Sequence, residues 1–114
     1  MTNTVIVSRT FKRDAKALLK KFTTLKDSVD NLISDLIRDP YLGDSYGDKI
    51  YKVRLADKSK GGGKSGGFRV MYYHLNVTDS GIEILLMTIF DKSDKSTIKK
   101  DEALKKLRAI LNEL

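Results

Sequence analysis

The chain contains no cysteine, which removes disulfides, thiolate metal sites and a cysteine nucleophile from consideration. It contains one histidine, so a histidine-pair mechanism is impossible and the usual histidine-rich metal sites are excluded. No apolar stretch approaches the ~20 residues that span a bilayer. The opening MTNTVIVSRTFKRDAK has no charged start followed by a long apolar core and a small-residue cleavage site, so it does not read as a signal peptide. The cytoplasm is the expected location, and neither a metal nor a cofactor is expected. Proline is nearly absent too, and the single one, Pro40, becomes an informative stop signal.

What the chain has in excess is positive charge. Its 22 Lys and Arg outnumber 15 Asp and Glu for a net charge of +7, which favours RNA, DNA or an acidic protein as partner. A chain of 114 residues is expected to form one domain, residues 1–114, with a single small core.

Hydrophobic periodicity gives the elements. Residues 4–8, TVIVS, are β-branched and read as a strand. Phe11, Ala15, Leu18 and Phe22 then recur at helical spacing. Thr23 and Thr24 interrupt that pattern and can cap a second helix, whose stripe is Leu25, Val29, Leu32, Ile33, Leu36 and Ile37. Pro40 ends it, because the residue before a proline is biased away from helix. The result is a helical hairpin over about residues 9–38. Residues 39–48, DPYLGDSYGD, read as a connecting loop. Residues 50–56 and 68–77 read as strands around a glycine-rich loop, and TDSG at 78–81 reads as a hairpin turn. Residues 82–90, IEILLMTIF, are almost continuously apolar, the mark of a central strand buried on both faces. Ala103, Leu104, Leu107, Ile110, Leu111 and Leu114 define a terminal amphipathic helix. The expected class is α+β, in the order β-α-α-β-β-β-α: a small antiparallel sheet with the N-terminal helical hairpin packed on it and a C-terminal helix.

Residues 50–73, IYKVRLADKSKGGGKSGGFRVMYY, hold the chemistry. Side chains alternate along a strand, so Lys52 and Arg54 project from one face. Arg69 opens the next strand, and Lys58, Lys60 and Lys64 lie in the loop between. Like charges placed close together destabilise a sheet unless an anion compensates them, so the cluster points to a phosphate ligand. The loop is not a P-loop: Lys58 stands where that motif needs glycine, and a strand follows where a helix is needed. A flexible connection kept soluble by charge explains the loop alone equally well. His74 is a candidate general base, against the more common structural role of a lone strand histidine. Tyr72 and Tyr73 point to opposite faces, so at most one can stack on a base. Asp91, Lys92, Asp94 and Lys95 follow the apolar strand, at the rim of a site or simply in a solvated turn. Arg9, Lys12, Arg13, Lys16, Lys20 and Lys21 make the first helix basic, either as an extended phosphate footprint or as an ordinary solvated face.

The element order, with KVRLADKSKGGGKSGGFRVMYY followed by LLMTIFDKSDK and with the Asp-Pro-Tyr-Leu-Gly turn, resembles the RelE/HigB toxins of bacterial type II toxin–antitoxin systems. The resemblance spans nearly the whole chain and is most specific from Asp39 to Lys95. It implies a single RelE-like domain, a ribosome-dependent endoribonuclease that cuts mRNA in the A site of the 30S subunit, and a cognate antitoxin. The family's active-site basic residues match Lys52, Arg54 and Arg69. A further family position after the fourth strand matches the neighbourhood of Lys92 loosely, with Ser93 where many relatives have arginine. RelE's C-terminal tyrosine has no counterpart after Tyr73. RNA supplies its own nucleophile, the 2′-hydroxyl, so the enzyme needs a base, cations for the phosphorane and an acid. On that scheme Arg54 and Arg69 hold the phosphate, Lys52 is the candidate base with Asp91 competing, and Lys92 or Lys95 supplies the acid or a second phosphate contact. Lys58, Lys60 and Lys64 bind the RNA backbone. Two alternatives stay open: a ParE-like poison of DNA gyrase, and a catalytically inactive RNA- or ribosome-binding module.

Overall fold

The computed structural model describes residues 2–60, 67–93 and 98–114. The first strand, β1 (Thr4–Val7), leads into α1 (Arg9–Leu19) and α2 (Leu25–Arg38). Then come β2 (Asp44–Gly47), β3 (Ile50–Leu55), β4 (Phe68–Thr78), β5 (Gly81–Asp91) and α3 (Lys100–Leu111). The class is α+β, as the periodicity implies. The strands form one sheet in the order β1-β5-β4-β3-β2.

Two details depart from the sequence expectation. The sheet is mixed rather than wholly antiparallel, because β1 pairs parallel with β5, Thr4 opposite Glu83 through Val7 opposite Leu86. Parallel pairing needs a crossover, and the helical hairpin, β2, β3 and β4 all intervene between these two strands. The second departure is β2, which lies in the stretch read as loop. Its four residues, Asp-Ser-Tyr-Gly, have weak strand propensity. They are held extended because Asp44 and Ser45 pair with Lys52 and Tyr51 on the edge of β3.

The apolar run of β5 is buried on both faces because each face meets helices. On one face, Phe11, Ala15, Leu25, Leu32 and Leu36 of the hairpin pack on Leu55, Phe68, Val70, Tyr72, Ile84 and Leu86. On the other, Ala103, Leu107 and Ile110 of α3 pack with Ile98 on Ile50, Met71, Leu85 and Met87. Fully burying an aliphatic or aromatic side chain contributes about 1.5–3 kcal/mol, so β5 belongs to two cores at once. Ser8 couples α1 to this strand: its hydroxyl accepts from Phe11 N at 3.0 Å as the helix cap and donates to Met87 O at 3.3 Å.

Thr24 occupies the N-cap position of α2, as its sequence context implies, yet its hydroxyl does not cap the helix. It donates instead to Asp57 Oδ2 at 2.7 Å, while Ser28 donates to Asp57 Oδ1 at 2.5 Å. Asp57 also accepts from the Ser59 amide at 3.1 Å and from the Ser59 hydroxyl. The chain leaving β3 is thereby fastened to the start of α2, where the helix dipole favours a carboxylate. The segment between α2 and β2 is fastened as well. Gly43 N donates to Tyr72 Oη at 2.9 Å, and His74 Nε2 lies 2.7 Å from Pro40 O.

Gly43 is required by close approach rather than by conformation. A Cβ there would lie 2.5 Å from the carbonyl oxygen of Lys52, which is backbone in a paired strand and cannot swing away. Gly43→Ala is therefore expected to destabilise the protein by about 1–3 kcal/mol, the usual cost of overpacking. Urea unfolding measures this directly, and an unchanged midpoint would contradict the packing described.

Two titrating groups make stability depend on pH. Burial alone would raise the Asp57 pKa, but the three hydroxyls and the Ser59 amide bring it down to about 2. Burial lowers the pKa of His74, the Pro40 carbonyl opposes that, and Lys49 adds to it. Both folded values lie below the unfolded ones, so the unfolded chain binds more protons and stability falls as pH drops. The histidine contribution is lost as pH falls below about 6.5, and the Asp57 contribution between about 4 and 2. Thermal melts between pH 7 and pH 5 should show a falling midpoint in the wild type and a flatter response in His74→Gln. Asp57→Asn should lose about 2 kcal/mol at pH 7, consistent with removal of a shift of this size.

Candidate functional site

The register of β3 against β4 decides which residues meet. Arg54 lies opposite Arg69, Lys52 opposite Met71, and Ile50 opposite Tyr73. Because Ile50 and Met71 face α3, alternation puts Lys52, Arg54 and Arg69 on that same face. The residues between them, Tyr51, Val53 and Val70, face the helical hairpin. The sequence-predicted cation trio is thus assembled on one surface, with the two arginines directly across the ladder.

Arg69 is 5% exposed, and its Nη1 donates to Phe68 O at 3.1 Å. Burial, and then the neighbouring Arg54, lower its pKa. A guanidinium stays protonated at neutral pH even so, so the site holds one buried and one exposed cation facing each other. On the outer strand, Lys52 Nζ lies over the ring of Tyr46, 5.3 Å from its centroid. On the inner strand, Phe90 is the register partner of Arg69. Arg54 and Arg69 thus face each other across the ladder, Lys52 stands one step along β3 from Arg54, and a half-buried aromatic side chain lies beside Lys52 (Tyr46) and beside Arg69 (Phe90). Lys52 and Arg54 also line a depression of about 490 Å³ with Leu42, Gly43 and Asp44.

Other candidates fall elsewhere. Asp91 is the register partner of Phe68, which places it on the hairpin face. Its Oδ1 accepts from the Ser93 amide at 3.0 Å and the Ser93 hydroxyl at 2.9 Å. Lys92 donates its amide to Gly67 O at 3.1 Å and so stands beside the start of β4. Lys58 lines a separate polar depression with Thr24, Asp27, Ser28, Asp30 and Asn31, at the N-terminus of α2. Lys64, Asp94, Lys95 and the side chain of Lys60 lie outside the described residues.

His74 and Tyr72 belong to the fold. His74 is 2% exposed and its ring packs 4.5 Å from Tyr51 and 4.9 Å from Tyr41, on the hairpin side of the sheet. Tyr72 is fully buried, and burial raises its pKa to about 12. The basic residues of α1 are all exposed. They sit across the sheet from the arginine pair, because α1 packs on the hairpin face. Sequence reasoning missed Tyr46, since nothing in DSYG signals a strand until β3 is beside it. It also missed Asp57, whose partners lie 33 and 29 residues away.

No protein-family model matches the chain, and no curated protein matches it. Among solved structures the chain superposes on the Escherichia coli toxin RelE, an arginine-to-alanine double mutant in the free state, with a TM-score of 0.60. The fold is that of RelE. The match covers 94% of this chain and 99% of the RelE chain at 17% sequence identity.

The facing arginines can be tested through stability. Like charges directly opposite on a ladder repel, so Arg54→Gln should stabilise the protein by a few tenths of a kcal/mol at low ionic strength, with the gain shrinking as salt screens the pair. Thermal melts of both proteins at two salt concentrations test this. A destabilised Arg54→Gln would mean that the pair is compensated within the fold.

Proposed function

We propose that this chain is the toxin of a toxin–antitoxin pair and that it cleaves mRNA in the ribosomal A site. The observation that carries this reading is the Arg54–Arg69 pair across β3 and β4, with Lys52 one step along the same face. Two guanidinium groups facing each other on a rigid sheet suit a phosphodiester, whose oxygens accept bidentate hydrogen bonds from arginine. Burial of Arg69 strengthens its field, because fewer waters screen it. The RelE fold supports the same reading, and so does the net charge of +7.

In the reaction the 2′-oxygen attacks the adjacent phosphorus. Its proton passes to a base, the new 2′-oxygen–phosphorus bond forms, and the bond to the 5′-oxygen breaks. An acid protonates the departing 5′-oxygen. The products are a 2′,3′-cyclic phosphate and a 5′-hydroxyl, and the RNA itself supplies the nucleophile. Arg54 and Arg69 carry the charge of the phosphorane. In this reading Lys52 exchanges the proton with the 2′-hydroxyl, and Lys92, whose amide bonds Gly67 at the start of β4, serves the leaving group. Asp91, on the hairpin face, is not given the base's role. A ribosomal substrate places the protein in the cytoplasm. An antitoxin would neutralise it by laying an acidic segment over the cation row.

The test is cleavage on purified ribosomes holding a defined codon in the A site. Wild type should cut within that codon, and Arg69→Ala should cut at least 100-fold more slowly, the scale for removing one group that stabilises developing charge. Arg54→Ala is the companion variant because Arg54 is exposed and the fold does not rely on it. Folded wild-type protein that leaves the codon intact would overturn the proposal, and inhibition of DNA supercoiling would then replace it.

A further inference from the structure

Tyr46 has a place that the phosphate site does not explain. It stands in β2 at the register shift between Ser45 and Gly47. The ring packs against the core cluster of Ile50, Met71, Ile98 and α3. It also carries the Lys52 ammonium above it, 5.3 Å from the centroid. The turn after it is tied down: Asp48 pairs with Lys100 of α3 at 3.0 Å. An aromatic ring is thereby seated on the core beside the cations, with the tip of a flexible lysine over it.

We propose that Tyr46 is a base-stacking platform for single-stranded RNA, receiving the base of a nucleotide next to the scissile phosphate. This rests on the nuclease reading and names a further subsite in it. The cation–π contact with Lys52 is worth only about 0.5–1 kcal/mol at an exposed site. An RNA phosphate competes for the ammonium directly, and once Lys52 turns to the phosphate the π face is open. Base–aromatic stacking is worth about 1–3 kcal/mol per base and tolerates any base, so binding replaces a weaker contact on that ring by a stronger one. Lys52 and Arg54 are two residues apart on one strand face, about 7 Å, so the ring and the arginines address adjacent parts of one nucleotide chain.

The test uses the ribosomal cleavage assay with codons in which each A-site nucleotide in turn is made abasic, comparing kcat/KM for wild type, Tyr46→Phe and Tyr46→Leu. Leucine keeps apolar packing and removes the π face. At one position the wild type should lose about tenfold on removal of the base, within the range of stacking energies. Tyr46→Phe should show the same loss. Tyr46→Leu should be about tenfold slower on the intact codon and lose nothing further at that abasic position. A purely structural role would slow Tyr46→Leu equally on every substrate and preserve the wild-type sensitivity, and that result overturns the proposal while leaving the nuclease intact. Uniform insensitivity of the wild type to base removal overturns it as well. Absence of cleavage by folded wild type overturns the nuclease reading and this subsite with it.

Discussion

The pairing of β3 with β4 is the constraint on which the rest depends. Six consecutive pairs, from Ile50–Tyr73 to Leu55–Phe68, set a single register. In that register Val53, Leu55, Phe68 and Val70 face the helical hairpin, and Lys52, Arg54 and Arg69 face the other way. A slip by one residue would drive Arg54 toward Leu32 and Leu36 and leave Val53 in water. Burying an unpaired guanidinium costs several kcal/mol, so no neighbouring register competes. The same hydrophobic pattern that makes the core therefore also makes the cation row, and neither can be changed alone.

The row is built into the sheet at its most constrained point. Arg69 is buried and faces a second arginine, and like charges opposite each other on a ladder repel. The surroundings hold these strands in place. β5 lies beneath with two cores, Asp57 fastens the end of β3 to α2, and Tyr72 and His74 fasten the α2–β2 segment to β4. Each of these anchors sits on the hairpin side, away from the cations. The sheet thus divides labour between its faces: one is closed by two helices and a network of hydrogen bonds, the other packs α3 and carries Arg54 exposed, Lys52 half-buried and Arg69 buried.

The legible parts of the sequence were those whose signal is local. β5 shows in its own composition, because a strand buried on both faces must be apolar at nearly every position. The helical hairpin shows in its period and in Pro40. The shared face of Lys52 and Arg54 follows from alternation within one strand. The parts that were not legible depend on a distant partner. β2 is extended only because β3 offers an edge, and β1 is parallel only because of where the hairpin delivers the chain. Asp57 reads as one more polar loop residue until Thr24 and Ser28 arrive at it.

What the sequence by itself determined is the inventory: which segments other than β2 are helix or strand, which residues carry positive charge, and which face of β3 they occupy. These follow from the periods of 3.6 and 2, which are properties of single elements. Only the tertiary structure decided that Arg54 meets Arg69, that Tyr46 lies under Lys52, that Asp91 is the register partner of Phe68 and that Lys58 lines a depression at the start of α2. Such relations are set by the register between strands and by the packing of helices on the two faces, and each depends on the burial of many side chains at once, so no local pattern records it.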